Sequence, residues 1–337
     1  MSEYVMGVAS FITKLLGRNS SPGMHNGDFS PRTVIEPPQF SLMESAQLYL
    51  NYLFEQNTAQ PITVPQKLVL DLVQSNLKRK ENRLNAVPRL PSVIPKLIRS
   101  LRDPDSAIRD YVLIVKKDVS MTAAVLKLAN SAYFNPIDQH IGDIDRAVML
   151  LGVAGLRSVL SAAVMQPIIQ RDSPYFSQTG QRLWQHSLHC AIACEQIAPL
   201  RGVEPFSMYL LGLVHDVGKI TLFSELCKQF KLNGSQEQPG LQAFAPLMRS
   251  FSAQLSYLIA RDWDLPEEVC EALKEQIDLA PGSSISEEGV VLYQANIISE
   301  AHVTLYPKFP ERAAKLLEHL HLPADLFNTL TSVDEEL

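Results

Sequence analysis

Two runs decide the fold: W-Q-H-S-L-H-C-A-I-A-C-E-Q-I-A, Trp184 to Ala198, and E-P-F-S-M-Y-L-L-G-L-V-H-D-V-G-K, Glu204 to Lys219. Both read as core helices that face each other across a short loop. Glu204 is placed to cap the second helix, with Pro205 in its first turn. His186 sits in the first run, and the pair His215-Asp216 ends the second. Gly218 is read as relaxing the backbone just after that pair.

Outward from this centre the chain repeats the helical pattern. Leu42, Ala46, Tyr49, Leu50 and Leu53 mark a helix over 41–56, and a second is expected from Lys67 to Leu77 after a break at Pro61–Pro65. The basic group Lys78, Arg79, Lys80 and Arg83 reads as a solvated helix terminus. Asp105, or its rival Asp103, caps a helix near 107–116, and Asp118 or Ser120 caps the next, to Ala129. Asp143 restarts the chain, Gly152 is a plausible stop, and a long apolar helix follows from Val153 to Ile169. Later helices fall near 220–230, 244–262, 266–278, 287–302, 310–320 and 323–330, with loops at 231–240 and 281–286. Residues 3–16 are weakly amphipathic, and 17–39 read as a Gly/Ser/Pro-rich linker that includes His25. No stretch shows sustained strand alternation, so the fold class is all-α.

Composition narrows the function. An apolar share of 46% and a charged share of 20% describe an ordinary globular chain. Residues 1–100 hold 11 basic and 7 acidic side chains, the remainder 19 and 29. A net charge of -6 argues against a nucleic-acid or anionic-membrane surface. Cys190, Cys194, Cys227 and Cys270 form no C-x-x-C and read as reduced core residues, which suits a cytoplasmic protein. No apolar run suits a transmembrane helix, and the N-terminal stretch lacks the features of a signal peptide.

Imidazole nitrogens and carboxylate oxygens suit a divalent metal. His215 and Asp216 can converge on one only where the backbone turns, and either His186 or His189, on one helix face, can join them. Glu300 and His302 lie on a late helix. The competing reading is a hydrogen-bonded polar core without metal. Lys219 either neutralises Asp216 or contacts a phosphate. Asn130 can bind backbone across a junction or cap its helix, and Arg157 lies in the segment that follows Gly152. Gly142, Gly152 and Gly155 read as sites of close helix approach.

Several motifs then converge. L-P-S-V-I-P-K-L (90–97), D-P-D (103–105), V-L-K-L-A-N-S-A-Y-F (125–134) and I-D-R-A-V-M-L-L-G-V-A-G-L-R (144–157) resemble the HDOD family. So do L-W-Q-H-S-L (183–188), G-L-V-H-D-V-G-K (212–219) and W-D-L-P-E-E-V (263–269). The resemblance spans about 86–300. It implies a two-lobed helical bundle with an HD-domain-like second lobe. It divides the chain into an N-terminal helix and linker (1–39), a helical extension (40–85), an HDOD-like domain (86–322, lobes about 86–170 and 180–322) and a C-terminal helix (323–337).

In catalytic HD phosphohydrolases a His, a His-Asp pair and a later Asp hold metal. By resemblance these fall on His186, His215, Asp216 and Asn296, an amide where the late Asp is expected. Histidines that serve a second metal are replaced by Ser252 and by Glu275 or Gln276. The resemblance therefore implies a degenerate site: no cofactor is expected, although three donors suffice for one divalent ion (Fe, Mn, Zn or Ni). No catalytic residue is expected; an active protein would use His215, Asp216 and Lys219. The expected function is non-catalytic bacterial signal transduction, binding a signalling protein or a small ligand, with a homodimer left open. The alternative is a metal-dependent phosphohydrolase acting on a nucleotide or phosphate ester.

Overall fold

The fold is a computed structural model that describes residues 32–35, 42–54, 62–87, 112, 115–116, 119–169, 178–232 and 241–334. The readings of helix 3–16, of His25, of the caps Asp103 and Asp105 and of the loop 231–240 fall outside the described residues, wholly or in part.

Its axis is a helix of 23 residues, Thr179–Arg201, whose Ala, Cys and Ser side chains are buried along most of its length. Small side chains let neighbours approach closely. The helix Pro205–Val214 lies almost backbone to backbone on it: a Cβ on Gly212 would stand 2.6 Å from both Ala191 Cα and the Cys190 carbonyl. As expected, Glu204 caps that second helix, its carboxylate accepting from the amides of Phe206 and Ser207.

In chain order the helices are α1 (Leu42–Leu53), α2 (Val64–Lys78), α3 (Lys80–Ala86), α4 (Val119–Ala129) and α5 (Ile144–Ile169). Then come α6 (Thr179–Arg201), α7 (Pro205–Val214), α8 (Val217–Leu232), α9 (Leu241–Asp262) and α10 (Glu267–Glu275). The last are α11 (Glu287–Thr304), α12 (Pro310–His319) and α13 (Leu326–Asp334). The described residues are almost wholly helical and two-lobed: α4 and α5 pair in one lobe, and α6 to α13 pack in the other. Asp143, where the chain is expected to restart, caps α5, its carboxylate accepting from the Arg146 amide. Gly152 breaks it, at φ 65° and ψ -171°, in a region that L side chains rarely adopt.

Four readings need correction. Pro65 does not precede α2 but lies in its first turn, behind a Thr63–Gln66 capping box. Arg83 is not solvated: it is buried, with Nε 2.8 Å from Asp262, and ties α3 to α9. The linker reading fails at Arg32–Val34. These residues form β1, which pairs antiparallel with β2 (Ser284–Ser286), Thr33 opposite Ile285. Three-residue strands are too short for alternation to register. Gly142 and Gly152 meet no other element, and Gly155 meets only Leu151 of its own helix.

Residues from Arg32 onward form one compact unit. The N-terminal helices are part of it: α1 packs on α11, and α2 on α8 and α9. Thr179 donates to the Leu53 carbonyl, and the Arg182 guanidinium lies 4.6 Å from the centre of the Tyr52 ring.

Candidate functional site

His215 and Asp216 make the tight turn between α7 and α8. The turn is held from behind. Gly218, in the first turn of α8, lies flush against α9: a Cβ there would meet the Ser252 carbonyl at 2.2 Å. Its amide donates to Ser256 Oγ at 2.9 Å. Gly218 therefore works by close approach and keeps a negative φ, rather than by relaxing the backbone. His186 reaches the turn from α6 and Asn296 from α11.

Four side chains meet there. His186 Nε2 and His215 Nε2 are 3.2 Å apart. Asn296 Oδ1 lies 3.2 Å from the first and 3.1 Å from the second. The Asp216 carboxylate is 3.5 Å from His186 Nε2 and 3.4 Å from His215 Nε2. Lys219 Nζ sits 2.9 Å from Asp216 Oδ2, so the lysine neutralises this carboxylate. His186, His215 and Asp216 are all buried.

The tautomer of His215 follows from its partner. Nδ1–H donates to the Gly212 carbonyl at 2.6 Å, which leaves Nε2 facing His186. Burial pushes both imidazoles down. At His215 the Asp216 carboxylate, helped by Cys190, more than reverses this and carries the pKa up to about 9. At His186 burial wins, and His215 and Lys219 deepen the fall. Burial pushes Asp216 up, but His215 and Lys219 hold it well below the usual carboxylate range. His215 is thus the imidazole that favours its charged form, and His186 the one that favours its neutral form. The ring nitrogens and the two oxygens converge on one point.

That point suits a metal ion. Donors about 2.0–2.1 Å from a tetrahedral ion lie about 3.3 Å from one another, the spacing found here. His186, His215 and Asp216 have donor atoms within 4.8 Å of one another, Asn296 offers a neutral oxygen, and the Gly212 carbonyl orients His215 as an outer partner does. The positions expected of a second ion's ligands are committed elsewhere. Ser252 Oγ donates to the Met248 carbonyl. Glu275 accepts from the Ser286 amide and hydroxyl. Gln276 donates to the carbonyls of Ala272 and Gly289.

A cavity of about 230 Å³ opens beside the cluster, lined by His215, Asp216, Lys219, Asn296, Glu300 and Tyr293 among others. Sequence reasoning missed Tyr49. From α1 its ring lies tilted against His186, centroids 4.4 Å apart, and faces Lys219 Nζ at 5.3 Å. The helical extension thus supplies a wall of the site.

The remaining singled-out residues lie apart. Asn130 bonds the Leu126 carbonyl and both backbone groups of Ile141, so its bonds stay within the first lobe. Arg157 is buried on α5, its guanidinium 5.9 Å from the centre of the Phe206 ring on α7. The lobes also meet at Glu195, which accepts from Ser158 and Tyr133. His189 does not join the cluster. With His302 and Asp334 it forms a second set whose donors lie within 4.8 Å of one another. Both sets could coordinate a divalent metal. All four cysteines are free and buried. Among the described residues no helix is long and apolar enough to cross a membrane.

This site lies on the HD-like helical fold. The HDOD domain model matches residues 87–279, more than half of the chain, and the protein belongs to that family. An HDOD domain protein of unknown function from Geobacter sulfurreducens is 21% identical, with TM-score 0.56, over 79% of this chain and 99% of that one. A protein of Shewanella amazonensis SB2B, provisionally named a metal-dependent phosphohydrolase, is 19% identical, with TM-score 0.57, over 80% and 98%. An uncharacterised protein of Treponema pallidum (strain Nichols) is 24% identical over 227 residues, 65% of this chain and 43% of the relative. The chain thus spans less than half the length of that curated relative.

Proposed function

We propose that the protein is a non-catalytic signal-transduction module that binds a protein partner or a small ligand. The observation that carries this reading is the charge of the central cluster. Its one carboxylate is held by Lys219, and the neutral Asn296 stands where the resemblance expects an aspartate. A metal bound there would supply a Lewis acid and a water of lowered pKa. His186, His215 and Asp216 would hold it, but with one neutralised anion they would hold it weakly. Surface chemistry supports a partner. On α2, Val64, Leu68 and Leu72 form an exposed apolar row at four-residue spacing, the arrangement that partner helices cover. The cavity beside the cluster, lined by Lys219, Asn296, Tyr293 and Glu300, has room for a small polar ligand. On this reading the protein is cytoplasmic, makes no nucleic-acid contact and is free to self-associate.

The second reading is a single-metal phosphohydrolase, favoured by the donor spacing around His186 and His215. One experiment separates them: metal content of natively purified wild type and Asp216→Ala, with phosphatase assays under added Mn, Fe, Zn and Ni. The regulatory reading expects no metal-stimulated turnover. Stoichiometric metal lost in Asp216→Ala, together with metal-stimulated hydrolysis in the wild type, would overturn it.

A further inference from the structure

We propose that His189, His302 and Asp334 bind a divalent ion of the zinc class, which fastens the last helix to the bundle. The proposal does not depend on the function assigned to the central site. His189 comes from α6, His302 from α11 and Asp334 from the end of α13, so the three donors join three helices.

The tautomer of His302 is set by Thr331. The Thr331 hydroxyl donates to the Phe327 carbonyl at 2.9 Å, so at 3.1 Å from His302 Nε2 it can only accept. His302 therefore carries its proton on Nε2, and Nδ1 presents a bare lone pair. That nitrogen is buried, has no hydrogen-bond partner among the described residues, and faces Asp334 Oδ2 at 3.8 Å. A lone pair opposite a carboxylate oxygen calls for a cation between them. His189 Nε2 lies 2.8 Å from Asp334 Oδ1, and its ring meets that of His302 edge-on at 4.8 Å.

Two imidazoles and one carboxylate are a zinc-type donor set. The donors lie within 4.8 Å of one another, against about 3.3 Å around a tetrahedral ion, a gap that modest ring rotations close. The side chain of Asp334 is 33% exposed, which leaves room for water as the fourth ligand. Phe327 and Tyr306 stack on each other at 4.8 Å and lie near-parallel to the His302 ring at 6.3 and 5.9 Å, an apolar flank that leaves it room to turn. The cavity described above is not lined by these three residues, so the ion has a holding role.

The test uses the full chain stripped with chelator and titrated with Co2+ as a spectroscopic probe. Amide exchange at 326–334 is followed by mass spectrometry. The expected result is a tetrahedral Co2+ spectrum that survives in His215→Ala. In the isosteric Asp334→Asn and in His302→Gln, affinity falls at least about 100-fold, beyond what loss of an outer partner costs. Zn2+ should slow exchange across the last helix in wild type and not in Asp334→Asn. This readout is local and remains decisive should His215→Ala fail to fold. Wild-type Co2+ affinity in Asp334→Asn, or exchange at 326–334 indifferent to Zn2+, overturns the proposal.

Discussion

His186 and His189 lie three residues apart on α6, and each faces a carboxylate and a second histidine, yet their surroundings differ. The carboxylate at the first cluster, Asp216, is buried with its side chain 7% exposed, and that of Asp334 at the second is 33% exposed. A buried charge acts through a low dielectric, whereas a partly hydrated one is screened. Asp216 accordingly lifts His215 to about 9 despite burial, but Asp334 fails to rescue His302, which burial takes to about 4. Both clusters hold two imidazoles and one carboxylate. Burial of the anion separates them, with Cys190 adding to the rise at His215 and His189 to the fall at His302.

The largest expected effect tests that difference directly. In metal-free protein Asp216→Asn should cost about 3–5 kcal/mol in urea unfolding, because it strands the Lys219 ammonium in the interior. The double variant Asp216→Asn/Lys219→Met should recover most of the loss. Asp334→Asn should cost under about 1 kcal/mol, as for an exposed pair. Equal losses at the two aspartates would abolish the contrast.

Next in size is Gly218→Ala. The first cluster has a helix pressed against its back at this residue, and the added methyl should cost up to about 3 kcal/mol through overpacking. Urea unfolding measures it; a neutral result would mean that α8 stands off α9.

The pH profile of metal-free protein sharpens the comparison further. His215 binds its proton more tightly folded than unfolded. Its contribution is complete below about 6.5 and is lost as pH rises toward about 9. His302 binds its proton less tightly folded. Its contribution is present above about 6.5 and is lost as pH falls toward about 4. Each limb should slope by up to about 1.4 kcal/mol per pH unit. Stability against pH for His215→Gln should lose the alkaline limb, and for His302→Gln the acid one. A single variant that flattens both limbs would show that the clusters titrate together.

The smallest effect isolates delivery. Glu204→Ala removes the cap of α7, the helix that carries His215, and should cost about 1 kcal/mol by thermal melting. Amide exchange at 326–334 and the acid limb should not move.

Much of the central site was legible because its residues sit in dense motifs. His186, His215, Asp216 and Asn296 do come together, and Lys219 does lie on Asp216. The second cluster was half visible. His189 and His302 drew attention as histidines in core helices, but both were weighed for the first cluster. Asp334 is an ordinary acidic residue at the end of a short helix, 145 positions from His189, and no local pattern marks it. Tyr49 stayed hidden because an aromatic on a helical stripe reads as core. Gly212 and Gly218 were misread or passed over because a glycine that admits a neighbouring backbone looks, in sequence, like one that supplies a turn. Arg83 looked like a solvated terminus because its partner, Asp262, lies 179 residues away.

The pairing of β1 with β2 has a consequence for how the chain is made. Thr33 leaves the ribosome long before Ile285, its partner across the strands, exists. The helices of both lobes can assemble as they emerge, but the earliest described strand must wait as an unpaired edge until more than two hundred further residues are synthesised. Closing so long a loop adds little entropy cost over a shorter one, so the delay is one of timing rather than of stability. During synthesis that waiting edge is the segment open to chaperones, proteases and other nascent chains.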